Sequence, residues 1–340
     1  MFAAPLMDST GSGRQPSRVI DFHAHVLHPE VYARTVNRSV ISGYGLRPME
    51  ERPQPGGPRW PMFSRMVVPQ VQLADMDRRG VALSVISSST VSQSTFWAEA
   101  SVAAELERIA NDGVAEWVAA QPDRFAGAFT LPLQDMGLAL EELRRCVETH
   151  RMRVVNLPAS VDGRYLGDAY FTPLWSAIAH AGITAFLHPD GIRDMAFQAY
   201  SLWNGIGQGI EETRAMASII YEGVFERFPD LRIVVAHGGG FLPAYVARLD
   251  RNATAHPASM QNLTLLPSDT LKLFYYDTVV YDPLALEIIG RRVGYDRLVF
   301  GSDYPFGEER PVESVAALDV PPDVRTMIFS GNAERLLAQP

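Results

Sequence analysis

Eight short apolar runs recur along the chain, each followed by a stretch with helical periodicity, and this alternation restricts the possible folds more than any other feature. The runs are VIDFHAHV (Val19–Val26), LSVISSS (Leu83–Ser89), RFAGAFTLP, MRVVNLP, ITAFLHP, LRIVVAHGG, LFYYDTVV and RLVFGSDYP. Their interiors are apolar almost throughout, as parallel strands covered on the outside by helices must be. Helical patterns fall at Pro69–Arg79, ended by Gly80, at Phe96–Ala120, Gly137–Thr149, Phe171–Ala181, about Glu211–Arg227, Leu242–Arg251, Pro283–Arg292 and Asp323–Leu337. Eight such units predict an α/β fold of the closed (β/α)8 TIM barrel type. No G-x-G-x-x-G follows the first run, which argues against a dinucleotide-binding sheet.

At 340 residues, 47% hydrophobic and 20% charged, the chain suits one barrel of residues 18–340 with insertions. Residues 1–17, rich in Ser, Gly and Pro, read as a flexible N-terminal tail without the basic and apolar regions of a signal peptide. The pattern lapses from Leu27 to Pro69, a proline-dense irregular insertion after the first strand, expected to cover the site. A net charge of −9 with scattered basic residues implies no nucleic-acid partner, and no run is long enough to span a membrane. Cys146 is the single cysteine, so no internal disulfide and no thiolate cluster can form, which fits a cytoplasmic protein.

Ligand-type residues gather at the strand ends. His23 and His25, two apart on the first strand, share a face and resemble half a metal site, because neutral imidazole is a common ligand. His188 ends the fifth run, His237 the sixth and Asp303 the eighth, each just before a Gly or Pro turn. In a barrel these ends lie on one face, where catalytic groups collect. Asp21 precedes His23 by two and is expected to face the same way, either as an acceptor behind the ligands or as a solvated carboxylate.

This order of His-x-His, His, His and Asp resembles the amidohydrolase superfamily of metal-dependent barrels. AHGGGFLPAYVARLD, FYYDTVVYDPLAL and LVFGSDYPF are similar to its branch of 2-amino-3-carboxymuconate 6-semialdehyde decarboxylase-like enzymes. The resemblance implies one divalent ion, most often zinc with manganese or cobalt possible, held by His23, His25, His188 and Asp303, with His237 as catalytic acid/base beside Asp303. It implies loss of carbon dioxide from an unsaturated or aromatic carboxylic acid, a hydrolase or hydratase being the alternative. Members with two metals bridge them through a carboxylated lysine ahead of the third histidine. Here the sole lysine, Lys272, lies beyond His237, and the fourth run ends in Asn156-Leu157-Pro158 without a carboxylate, so one ion is expected.

The same resemblance implies a small-molecule carboxylic acid substrate clamped by arginines matching Arg65, with Arg59 as competitor, and Arg248, with Phe306 packed on the substrate. Arg248 lies eleven positions past His237 on a helical pattern, too far to point back easily into its own barrel; a homodimer sharing it across the interface is expected. The run His188-Pro189-Asp190 and the segment AFQAYSLWNGIGQGIEET depart from the family, which leaves the substrate open.

Overall fold

The eight expected strands form one parallel sheet in chain order: β1 Ile20–Val26, β2 Leu83–Ser88, β3 Phe125–Phe129, β4 Val154–Leu157, β5 Thr184–Leu187, β6 Arg232–Val235, β7 Tyr275–Asp277 and β8 Leu298–Val299. The structure is a computed structural model and describes residues 18–338; the N-terminal tail expected at 1–17 lies outside the described residues. Past Val299 the chain keeps running beside β1. Phe22 N donates to Phe300 O at 2.8 Å, and His25 N to Tyr304 O at 2.8 Å, which closes the barrel.

Helices cover the outside: α1 Pro29–Thr35, α2 Trp60–Val67, α3 Pro69–Arg79, α4 Ala100–Ala120, α5 Met136–Glu148, α6 Thr172–Ala181, α7 Gly209–Tyr221, α8 Leu242–Ala255, α9 Pro283–Val293 and α10 Asn332–Leu337. Their ends follow local chemistry. The Asp135 and Asp282 carboxylates accept from Leu138 N and Leu284 N to cap α5 and α9, and Gly80 closes α3 in the left-handed region. The helix expected over Glu211–Arg227 breaks at Gly223, whose φ of 63° no continuing helix tolerates. The one expected over Asp323–Leu337 divides into Pro322–Thr326, a π-turn at Met327–Gly331, and α10. No helix of the described residues is long and apolar enough to cross a membrane.

Two apolar layers result. Ile20, Phe22, Val85, Ala128, Val154, Phe186, Val234 and Val299 fill the barrel, with Ala333 and Leu336 of α10 packed onto them. Ala24, Val26, Ile86, Val155, Leu187 and Val235 point outward to the helices. On β1 the inward set is therefore Ile20 and Phe22, while the outward set is Ala24 and Val26. A bulge between Asp21 and Ala24, which oppose Ser84 and Ile86 of β2, makes the change of face possible. The bulge turns His23 and His25 inward above Phe22.

The Leu27–Pro69 segment is less irregular than its prolines suggest. It contains α1, α2 and a small core of Leu27, Tyr32, Val36, Phe63 and Met66, and Val31 of α1 packs with Leu106 and Ala110 of α4. Four of its prolines, Pro48, Pro53, Pro55 and Pro58, fall between the two helices.

Candidate active site

Three histidines and an aspartate meet above the barrel core. His23 Nε2 lies 3.1 Å from His25 Nε2 and 3.3 Å from Asp303 Oδ1, and His25 Nε2 is 3.1 Å from the same oxygen. The His188 ring centre is 4.9 Å from both the His23 and the His25 rings. Two of the three rings are oriented from behind: His23 Nδ1 lies 2.6 Å from Asp277 Oδ2, and His188 Nδ1 lies 3.2 Å from Thr90 Oγ1. Asp277 is held in turn by Gly238 N and Val279 N, both 3.1 Å from its Oδ1.

With Nδ1 as the hydrogen-bearing nitrogen of His23 and His188, their Nε2 lone pairs point into the cluster. Burial pushes the pKa of His25 and His188 down, favouring neutral imidazoles. The neighbouring histidines outweigh burial at Asp303 and bring its carboxyl to about 2. Closely spaced lone pairs plus a carboxylate repel one another unless a cation sits among them. The set fits a divalent ion. His25 Nδ1, buried and without a hydrogen-bond partner, is the one loose end.

His237 adjoins this cluster and is built differently. Its Nδ1 is 2.5 Å from Oε1 of Glu212, a fully buried carboxylate on α7. Burial alone would lower the His237 pKa, but the Glu212 charge and hydrogen bond reverse this and push it up to about 9; burial raises Glu212 to about 7. The pair holds a proton on the Nδ1–Oε1 axis and leaves Nε2 for other work. His237 and Asp303 both have left-handed backbones, φ 50° and 54°, unusual for residues with a side chain. The glycines after His237 follow the same turn. At Gly240, φ 60°, a Cβ would lie 2.3 Å from Gly209 O, so the motif admits no larger residue there.

A cavity of about 460 Å³ opens beside the cluster. His237, Asp303 and Glu212 form its reactive end, Val279, Val280, Ile288 and Ile289 its apolar wall, and Asn204, Gln208, Phe241 and Tyr281 complete it. The reacting face thus joins a space suited to a small organic molecule.

The family model for amidohydrolases matches residues 20–339. The chain belongs to the amidohydrolase family. Among this family, 2-amino-3-carboxymuconate-6-semialdehyde decarboxylase of Dictyostelium discoideum is 29% identical over 79% of this chain and 76% of its own length. The crystal structure of 5-carboxyvanillate decarboxylase from Sphingomonas paucimobilis superposes with a TM-score of 0.84 at 30% identity, covering 95% of this chain and 99% of that one. A dihydroxybenzoic acid decarboxylase from Polaromonas, solved with manganese and 2-nitroresorcinol, gives 0.79 at 26% identity over 94% and 96%.

In this amidohydrolase, His23, His25, His188, His237 and Asp303 converge as their strand-end positions suggest. A second grouping also lies close: one ligating atom each from His23, His188, His237 and Asp303 fall within 4.8 Å of one another. Phe306 stands with its ring 5.9 Å from that of His25. Arg65 does not join the cavity lining: its Nε is 3.3 Å from Asp75 Oδ2, and Asp75 also accepts from Tyr304 OH at 2.8 Å. Arg59 stands at the start of the same helix. Arg248 lies exposed on α8. Lys272 pairs with Asp269 at 2.8 Å, and Asn156 donates to Ser88 O.

Asp21 departs from expectation because of the bulge. Its carboxylate accepts from His23 N, Ser302 N and Ser302 Oγ and ties β1 to the end of β8. Sequence reasoning missed Asp277 and Glu212. Asp277 ends β7, so the strand-end signal that marked His188 and Asp303 applies to it equally. Glu212 gives no such signal, since a glutamate in a helix with a polar face is ordinarily solvated.

Proposed function

We propose that the chain is a metal-dependent decarboxylase of an aromatic or unsaturated carboxylic acid. The observation that carries this is His237, buttressed by a buried carboxylate and placed between a His/Asp cluster and a cavity of ligand size. The decarboxylases it resembles support the reaction class. His23, His25, His188 and Asp303 would hold one divalent ion: the three imidazoles lie behind the cavity and Asp303 at its edge, whereas His237 lines the cavity with its Nδ1 committed to Glu212. Three imidazoles and one carboxylate favour zinc; manganese, present in the Polaromonas enzyme, and cobalt suit the same donors. When bound, the ion supplies Lewis-acid stabilisation of negative charge on substrate oxygens.

The protein's own part is proton delivery. His237, protonated through its ion pair with Glu212, gives its Nε2 proton to the carbon that bears the departing carboxylate. The C–C bond then breaks, its electron pair reforms the unsaturated system, and a C–H bond replaces it. Carbon dioxide leaves, and solvent returns one proton to His237. The apolar wall of Val279, Val280, Ile288 and Ile289 offers a carboxylate no hydrogen bond and so disfavours it more than neutral carbon dioxide.

The test is carbon dioxide release by metal-replete protein from a panel of hydroxybenzoate- and muconate-type acids. Turnover that depends on His237 is expected; hydrolysis or hydration without carbon dioxide would overturn the reading. His237→Ala should retain most of the metal and lose roughly 10²–10⁴ in rate, whereas Asp303→Ala should lose both. Metal lost in parallel with activity in His237→Ala would make His237 a ligand.

Assembly as a homodimer belongs to the same proposal. Phe241 just before α8, Tyr245 on it and Leu284 and Ile288 on the adjoining α9 form an exposed apolar face, which Tyr281 beside α9 extends and which the exposed Arg248 of α8 accompanies. A second copy would cover this face, and Arg248 is the cation it would carry to the neighbouring site. If so, exchanged mixtures of His237→Ala and Arg248→Ala subunits regain about a quarter of wild-type activity; exchange without recovery refutes the sharing. Segment 27–69 contributes cover: Arg47 Nη2 reaches Gln198 O, 3.5 Å away in the β5–α7 connection. The lone, fully buried Cys146 suits a reducing cytoplasm.

A further inference from the structure

The cavity has a polar side that the chemistry above does not use. Trp203–Gln208 forms a π-turn leading into α7, an irregularity often found at functional sites. The turn brings two amides to the cavity. Asn204 Nδ2 donates to Gln208 Oε1 at 2.9 Å, and Gln208 Nε2 reaches Pro189 O at 3.5 Å. Gln208 is buried, while Asn204 stands exposed at the mouth. The short chain therefore has a direction, running from Asn204 to the residue after His188. It leaves the Asn204 Oδ1 and one Nδ2 hydrogen free for a ligand.

No lysine or arginine lines the cavity among the described residues, and its charged groups are His237, Glu212 and Asp303, all at the reactive end. A second carboxylate on the amide side would meet amides and hydrocarbon and find no cation from the same protomer, an unfavourable burial. A neutral group that both donates and accepts would find matched partners.

We infer that the Asn204–Gln208 amide pair reads a neutral hydrogen-bonding ring substituent of the substrate, such as a phenolic hydroxyl, on the polar side of the cavity. This rests on the decarboxylase reading and narrows its substrate class. A site built to hydrogen-bond a hydroxyl discriminates against an analogue that lacks it, because its own polar groups are then left unpaired. At a partly open mouth the preference for hydroxyl over methyl is about tenfold to a hundredfold.

The experiment uses the full metal-loaded chain and pairs of benzoates that differ only in a ring hydroxyl, methyl or second carboxylate. Binding is read by calorimetry or displacement and turnover by carbon dioxide release. Wild type should prefer the hydroxyl member at least tenfold over the methyl member. Asn204→Ala, at an exposed position, and Gln208→Leu, checked for folding by thermal melt, should bring that ratio near one while leaving the methyl member's affinity unchanged. Asn204→Arg should turn the preference toward the dicarboxylate, and Arg248→Ala should leave the hydroxyl preference intact. Unchanged ratios in both amide variants, or a wild type that prefers the dicarboxylate, overturn the inference. Ratios that collapse as stated without carbon dioxide release would overturn the reaction and keep the amide subsite. Carbon dioxide release with unmoved ratios would do the reverse, and no binding by any benzoate would overturn both.

Discussion

Glu212→Gln is the perturbation that most directly tests how His237 works. The carboxylate lies 2.5 Å from His237 Nδ1 and is itself fully buried, and Glu212 Oε2 has no hydrogen-bond partner. Its whole contribution therefore passes through His237. Glutamine keeps the shape and a neutral hydrogen bond but loses the charge. A hydrogen bond to a charged group contributes about 1.5–3 kcal/mol. At about 1.4 kcal/mol per tenfold, that predicts a fall in kcat of roughly 10- to 150-fold with the metal retained. The assay is a double-mutant cycle on kcat with Glu212→Gln, His237→Asn and the double variant, each metal-replete. If Glu212 acts only through His237, the double variant should be no slower than His237→Asn, giving a coupling of about 2 kcal/mol. Multiplicative losses, or a Glu212→Gln enzyme as fast as wild type, would refute the reasoning.

Two further outcomes follow from other buried carboxylates. In Asp277→Asn the oxygen stays with Gly238 N and Val279 N and the amide nitrogen faces His23 Nδ1, so metal affinity should fall about 10- to 100-fold, measured by chelator competition, with the barrel still folded; unchanged affinity would mean that His23 is oriented by packing alone. Glu107, fully buried between Thr95 and Thr130, is raised by burial from an ordinary 4.5 to about 7. Its folded form binds more protons than the unfolded chain between those values, so it lowers stability as pH rises through that window. At about 1.4 kcal/mol per pH unit the interval from 4.5 to about 7 amounts to roughly 3–4 kcal/mol. The stability difference between Glu107→Gln and wild type should grow by about that much from pH 4.5 to 8 in denaturant titrations; a difference independent of pH would show that Glu107 ionises freely.

The barrel and most of its reactive end are already present in the linear order. Apolar runs of strand length alternating with amphipathic helices admit few closed arrangements, and residues ending successive parallel strands must share a face. His23, His25, His188, His237 and Asp303 were therefore legible as a group, because each ends a strand or sits two residues from one that does. Local periodicity carries no record of contacts between distant segments. The partnership of Glu212 with His237, 25 positions away, and that of Asp277 with His23 exist only because the α7 and β7 segments pack against the β6 and β1 ends. The bulge in β1 is another such case. Spacing of two placed Asp21 beside the histidines, but one extra residue in the ladder changed which side of the strand faces the barrel, and Asp21 became a tie to Ser302. The same holds for Arg65, whose sequence neighbourhood suggested a substrate clamp and whose folded neighbour is Asp75. Strand order and face follow from patterns within a few residues; side-chain pairing is decided by which elements the closed barrel brings into contact.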